Sequence, residues 1–392
     1  MSKFIKTIIE ISKSSQQLFY MLFFLPLFVL SSWGLAGQGF ATINYYSVTC
    51  GICLAFWLFK SIGANYSKTQ WIILFFVMFF LLYIANRNGD KRLLITALVL
   101  WGLKNVRLGT LAIWMLGIRV FLVGLKMALS GMGIIANPVI ETMWKTWLNG
   151  KKTFASARAY GYEHPNYTSA LLLSIPIIVM LVWDIKAMSR KKRLLLYAVI
   201  VGGALSLYSL LVSRTTLYIC ILLVLLLLLF EVTNGKQRLQ RLLCYCLSLA
   251  PALGLVSTII VAYLCFIQNS IGLKVNWWLN SRFTTFLAQS SDFNMGDYLL
   301  GCKQAYWGEI GYLVMVQNYG FLFTLCCIVF IMLTSIHYAK DNRYVICVMV
   351  FVYSIYFMIE GYAANPMMNV TLLLNGVMFF AYGKEKQQTT YS

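Results

Sequence analysis

Apolar stretches long enough to cross a lipid bilayer recur along the whole of this 392-residue chain, and they leave few folds open. They fall at 18–34, 42–59, 69–86, 93–106, 108–131, 166–183, 194–212, 215–231, 242–266, 311–334, 344–360 and 367–383. Most approach the ~20 residues a helix needs to span the hydrocarbon layer. Inside that layer no water can bond the backbone, so each span must satisfy its own N–H and C=O groups as a helix. The expected fold is an all-α polytopic transmembrane bundle of about 12 spans, a single integral membrane domain over residues 1–392. A soluble fold is excluded because 60% hydrophobic and 11% charged residues supply too little polar surface to cover so large a core.

The net charge of +20 does not indicate a nucleic-acid partner, because Lys and Arg are dispersed among the loops rather than gathered on one face. They orient the spans instead. With both termini cytoplasmic, 19 of the 32 Lys and Arg lie on the inner side, most densely at 184–193, and 11 on the outer side. The turn Arg87–Arg92 runs against this trend, being basic yet outer. Arg119 and Lys126 fall inside a span, seven residues apart on one helix face, and are expected to point into the protein. Residues 1–17 read as a short amphipathic helix on the membrane surface. Nine of the ten cysteines sit in or beside apolar runs and read as packing residues. His164 and His337 fall on opposite sides of the membrane, so neither a metal site nor a cofactor is expected.

Two outer segments, 132–165 and 267–310, are long enough to hold a site, and the second should contain a short helix or two. Its aromatic residues Trp277, Trp278, Tyr306 and Trp307 suit either sugar rings or the membrane interface. The first segment ends Arg158-Ala-Tyr-Gly-Tyr-Glu-His-Pro-Asn166, placing a cation, an imidazole and an amide at the start of a span. There His164 could equally cap the helix by satisfying a backbone group. Arg214 stands in a Ser-Arg-Thr turn between two apolar runs, where a lone arginine can simply snorkel. Arg282 stands in the second segment, which closes on Glu309-Ile-Gly-Tyr312. Arginine suits phosphate because its planar fork donates paired hydrogen bonds. Arg158, Arg214 and Arg282, all at junctions on one side, point to a lipid-linked phosphate or pyrophosphate.

These elements together resemble the O-antigen polymerase and ligase superfamily, especially the Wzy-type polymerases of capsule and exopolysaccharide. The resemblance covers roughly 130–325 and rests on Arg158–Asn166, Ser213-Arg214-Thr215, Ser281-Arg282, Glu309–Tyr312 and Tyr319-Gly320. This chain departs from the pattern at Ser281, where glycine is expected, and at Ile310, where asparagine is expected. The resemblance implies a polysaccharide polymerase of the bacterial plasma membrane with its site at the outer face. A growing glycan on undecaprenyl pyrophosphate would pass to the non-reducing end of a new lipid-linked repeat unit. Arg158, Arg214, Arg282, Asn166 and Tyr312 would bind substrate, and His164 or Glu309 would take the proton. Membrane lipid, a chain-length regulator and a flippase of the same pathway are the implied partners. The alternatives are a ligase of the same superfamily and a flippase for the same lipid-linked sugar.

Overall fold

The computed structural model describes residues 3–34, 43–145, 152–183, 185–291, 293–306 and 308–381. Residues 1–2, 35–42, 146–151, 184, 292, 307 and 382–392 lie outside the described residues. The chain folds as a helical bundle. In order, α1 Lys3–Ser14, α2 Gln16–Trp33, α3 Ile43–Gly63, α4 Lys68–Asn88, α5 Arg92–Gly102 and α6 Leu108–Gly131 precede the hairpin β1 Val139–Lys145 and β2 Lys152–Arg158. Then follow α7 Pro165–Val182, α8 Arg190–Leu211, α9 Arg214–Val232, α10 Gln237–Ser248 and α11 Ala250–Phe266. The second long segment holds α12 Ser270–Trp278, α13 Arg282–Gln289 and α14 Met295–Leu300. Last come α15 Gly311–Tyr319, α16 Phe321–Lys340, α17 Tyr344–Phe357 and α18 Leu372–Ala381.

Among the described residues eight helices are long and apolar enough to cross a membrane: α2, α4, α6, α7, α8, α9, α16 and the α10–α11 pair taken together. Of the other stretches in the twelve-span reading, 93–106, 344–360 and 367–383 fold as the shorter apolar helices α5, α17 and α18, and α3 covers most of 42–59. The stretch 311–334 divides at Gly320, and α5, α15, α17 and α18 have only 9 to 14 residues each. At 1.5 Å per residue such helices fall short of a ~30 Å hydrocarbon layer. They are packed inside the bundle, where backbone irregularity is shielded from lipid by protein. All nine residues of α15 are buried, and Cys347, Val348 and Met349 of α17 are 0% exposed. The outer faces of α4 and α8, by contrast, carry exposed Phe75, Phe76, Leu195 and Val199, as lipid-facing helices do.

Among the described residues the all-α expectation has one exception. Residues within 132–165 form an antiparallel hairpin whose register pairs Val139 with Arg158 and Lys145 with Lys152. Within Val-Ile-Glu-Thr-Met-Trp-Lys apolar and polar residues come in pairs rather than alternating, so the strand shows in its pairing with β2 and not in a two-residue period.

Contacts between loops sort the helix ends into two sets. At one end the turn before α4 meets that before α6, where Lys104 donates to Asn65 O and Gln70 Oε1. At that end too Arg193 pairs with Glu231, and Asn342 donates to Gln240. At the opposite end lie the hairpin, the second long segment and the turn between α4 and α5. That last turn is the basic one that runs against the charge trend, and its charges are matched locally. Arg87 pairs with Asp297 of α14 at 2.7 Å, and Arg92 pairs with Asp90 at 2.6 Å. Asn318 Nδ2 donates to Asp90 at 2.8 Å and to Tyr306 O, while its Oδ1 accepts from Tyr306 N at 2.7 Å. This network ties the end of the second segment to the bundle.

Arg119 and Lys126 point inward as their positions required. Arg119 is 0% exposed, donates to Met367 O and lies 4.3 Å from the centre of the Phe28 ring. Lys126 donates to Trp33 O and lies 4.2 Å from the Tyr162 ring centre. Helices α11 and α15 meet closely at Gly254, where an added Cβ would lie 2.6 Å from the Tyr312 hydroxyl. Gly254→Ala is expected to destabilise the protein by about 1–3 kcal/mol through overpacking, read as a lower thermal midpoint in detergent. An unchanged midpoint would mean that Tyr312 moves freely.

Candidate functional site

Four of the residues singled out in the sequence meet at one point of the hairpin end of the bundle, around the guanidinium of Arg282. Its position is built locally. Asn280 and Ser281 have φ of 55° and 65°, the left-handed region, and so turn the chain sharply out of α12. Ser281 is where the resemblance expects glycine, and this backbone angle is the physical reason glycine suits it. Asn276, 5% exposed, holds the turn by accepting from Phe283 N at 2.9 Å and Thr284 N at 3.3 Å.

The guanidinium is bracketed by two carboxylates. Nη2 donates to Glu360 Oε1 at 3.3 Å, Nη1 donates to Ile359 O, and Nε faces Glu309 Oε2. The two acids differ in setting, since the Glu360 side chain is 4% exposed and that of Glu309 is 50% exposed. The contact with Glu309 is an ion pair without an aligned hydrogen bond, for Nε is buried and makes none. Glu309 and Glu360 approach because Gly361 lies against the backbone of 308–309. A Cβ at Gly361 would stand 2.6 Å from Gly308 O.

Glu360 also reaches the first segment, accepting from Asn166 Nδ2 at 3.3 Å. Burial, opposed by the charge of Arg282 and reinforced by that of Glu309, pushes the Glu360 carboxyl up to about 7. His164 caps α7, its Nδ1 accepting from Asn166 N at 3.1 Å. Burial lowers its pKa below the usual 6.5, with Glu309 acting against and Arg282 with that shift. The ring is therefore neutral near pH 7. With Nδ1 serving as an acceptor, the remaining proton is on Nε2, so His164 is placed to donate rather than to accept. The capping role weighed from the sequence and proximity to charged groups are thus both realised.

No protein-family profile, no curated protein and no solved structure matches the chain. Functional argument rests on the arrangement itself.

The other three predicted residues do not join the cluster. Arg158 ends β2 and is exposed, and Arg214 opens α9 half-buried. Among the described residues no hydrogen bond or ion pair links either to Arg282, Glu309 or Glu360. They lie at the same end of the bundle, since β2 packs on α8 and α8 runs into the turn before α9. Tyr312 departs from its expected role. It is 1% exposed, lies tilted against Phe357 at 4.7 Å between ring centres, and donates to Ser354 O at 3.3 Å. Glu309 precedes α15, whereas Tyr312 lies in the first turn of that helix, whose nine residues are all buried, so the ring goes into the core.

Glu360 was missed in the sequence, where it ends an apolar stretch with no motif around it. A lone carboxylate at the end of the apolar stretch 344–360 was the available signal. Among the four aromatic residues of the second segment, Tyr306 is a core residue, set edge-on to Phe286 at 5.7 Å. Trp278 is exposed.

Proposed function

We propose that this chain is a polysaccharide polymerase that moves a glycan from a polyprenyl pyrophosphate to a sugar hydroxyl at the outer face of a bacterial plasma membrane. The observation that carries this is Arg282, held by one buried carboxylate and facing a half-exposed one beside a neutral imidazole. A guanidinium so placed stabilises negative charge developing on a pyrophosphate leaving group. In the reaction the acceptor hydroxyl oxygen forms a bond to the anomeric carbon of the donor. The anomeric C–O bond to pyrophosphate breaks, and its electron pair stays with the pyrophosphate oxygen. The hydroxyl proton passes to Glu309, the carboxylate that solvent and substrate can reach. His164 Nε2–H and Asn166 are hydrogen-bond donors toward sugar or phosphate oxygens. Glu360 holds Arg282 in place. Arg158 and Arg214, outside the cluster at the same end, would guide the second lipid-linked substrate through its charge.

The test is deletion of the gene in its host, complementation with intact or altered copies, and sizing of the lipid-linked glycans on a gel. Single repeat units in the deletion strain and a restored ladder on complementation would support polymerisation. Long lipid-linked chains that never reach a final acceptor would instead indicate a ligase. Repeat units trapped on the cytoplasmic face would indicate a flippase.

A further inference from the structure

The two carboxylates on Arg282 are not equivalent, and their difference points to an order of events. Glu360 is enclosed, and its Oε1 also accepts from Asn166, so its contact with Arg282 is part of the packed interior. Glu309 is half-exposed and faces Nε through an ion pair that leaves the Nε hydrogen without an aligned acceptor. A buried N–H in that condition is poorly satisfied, and an exposed ion pair contributes little stability. The Nε edge is therefore the exchangeable edge of the guanidinium.

We infer that Glu309 occupies the phosphate position on Arg282 in the empty protein and is displaced when a pyrophosphate-bearing ligand binds. This rests on the function proposed above and adds an order to it. While Glu309 is paired with Arg282, the ion pair holds its carboxylate away from an acceptor. Donor pyrophosphate takes the Nε edge, and like charge drives the freed carboxylate off. Glu309 can reach the acceptor hydroxyl only once donor is bound, so donor binds before acceptor is activated. The proton it then takes is that of the acceptor hydroxyl, as balanced above. Glu360 stays on Arg282 throughout as a positioning residue.

Purified full-length protein in lipid nanodiscs, titrated with inorganic pyrophosphate by calorimetry, tests this without any polymerisation. Glu309→Gln removes the competitor, so it should bind pyrophosphate about three- to fivefold more tightly than wild type, the range expected for a half-exposed ion pair. Removing any nearby negative charge also favours an anion, and Glu163→Gln serves as the control for that effect. Glu163 is exposed, adjoins His164 and makes no ion pair with Arg282. Its change should leave the affinity within about twofold, the size of a screened surface charge. Arg282→Gln should abolish binding. Equal tightening by Glu309→Gln and Glu163→Gln, or unchanged affinity in Glu309→Gln, would overturn displacement while leaving the phosphate site standing. Wild type that fails to bind pyrophosphate would overturn both the displacement and the proposed function. A ladder assay that fails in cells while the affinities behave as expected would fault the polymerase reading alone.

Discussion

Arg282→Gln is expected to reduce glycan polymerisation by about 10²–10³-fold in a protein that still folds and inserts. That is the loss typical when a single preorganised donor to a developing anion is removed. The guanidinium makes three contacts in three directions, to Ile359 O, Glu360 and Glu309. A neutral amide can satisfy at most part of this set and brings no charge to the leaving pyrophosphate. Arg282→Lys keeps the charge but not the planar fork, so one ammonium cannot hold Glu360 and present a second edge to a phosphate together. It should fall between wild type and the glutamine variant. The measurement is ladder length in the complemented deletion strain, paired with membrane protein level by immunoblot. A full ladder from Arg282→Gln would remove the central residue of the site and the proposed function with it.

The second large effect is in stability against pH and centres on Glu360. Its carboxyl is raised from 4.5 to about 7, chiefly by burial. In that window the folded protein binds a proton that the unfolded chain releases. Stability from this group is therefore full below pH 4.5 and is lost as pH rises through about 7. The loss amounts to about 3 kcal/mol at 1.36 kcal/mol per pKa unit. His164 works in the opposite sense. Its folded pKa is lowered, so its contribution is present above 6.5 and declines as pH falls through that lowered value. The clean observable is the difference in thermal midpoint between wild type and Glu360→Gln from pH 5 to pH 8. Wild type should lose ground to the variant as pH rises, and a flat difference would mean that Glu360 is ionised throughout. Arg282→Met strands the same carboxylate and should cost about 3–5 kcal/mol at pH 8, as when one partner of a buried pair is removed. That cost should shrink at pH 6, where Glu360 can take up a proton. Adding Glu360→Gln should recover much of the loss.

The two residues behind these effects differ in how well the chain announces them. Arg282 follows a turn-forming Asn-Ser pair within a polar segment and could be picked out by residue type and position. Glu360 could not, because its importance lies in meeting Arg282, 78 residues earlier, and Asn166, 194 residues earlier. Arg158 and Arg214 show the opposite failure. Their residue type fits the chemistry, yet at its hairpin end the bundle joins neither of them to the cluster. Tyr312 fails through packing, since Glu309 precedes α15 while Tyr312 lies within it, where Gly254 and Phe357 claim the ring.

Local pattern alone determined the class of this protein. Apolar runs of near-membrane length must become helices because lipid offers the backbone no other partner, and Arg119 and Lys126 must turn inward because lipid cannot solvate them. Tertiary structure decided the rest. It shortened α5, α15, α17 and α18 into a protein-lined interior and matched the basic turn at 87–92 to Asp297 and Asp90. It also gathered His164, Asn166, Arg282, Glu309 and Glu360 at one point. Those outcomes depend on which distant segments pack together, and packing is a property of the folded bundle that no single stretch of sequence contains.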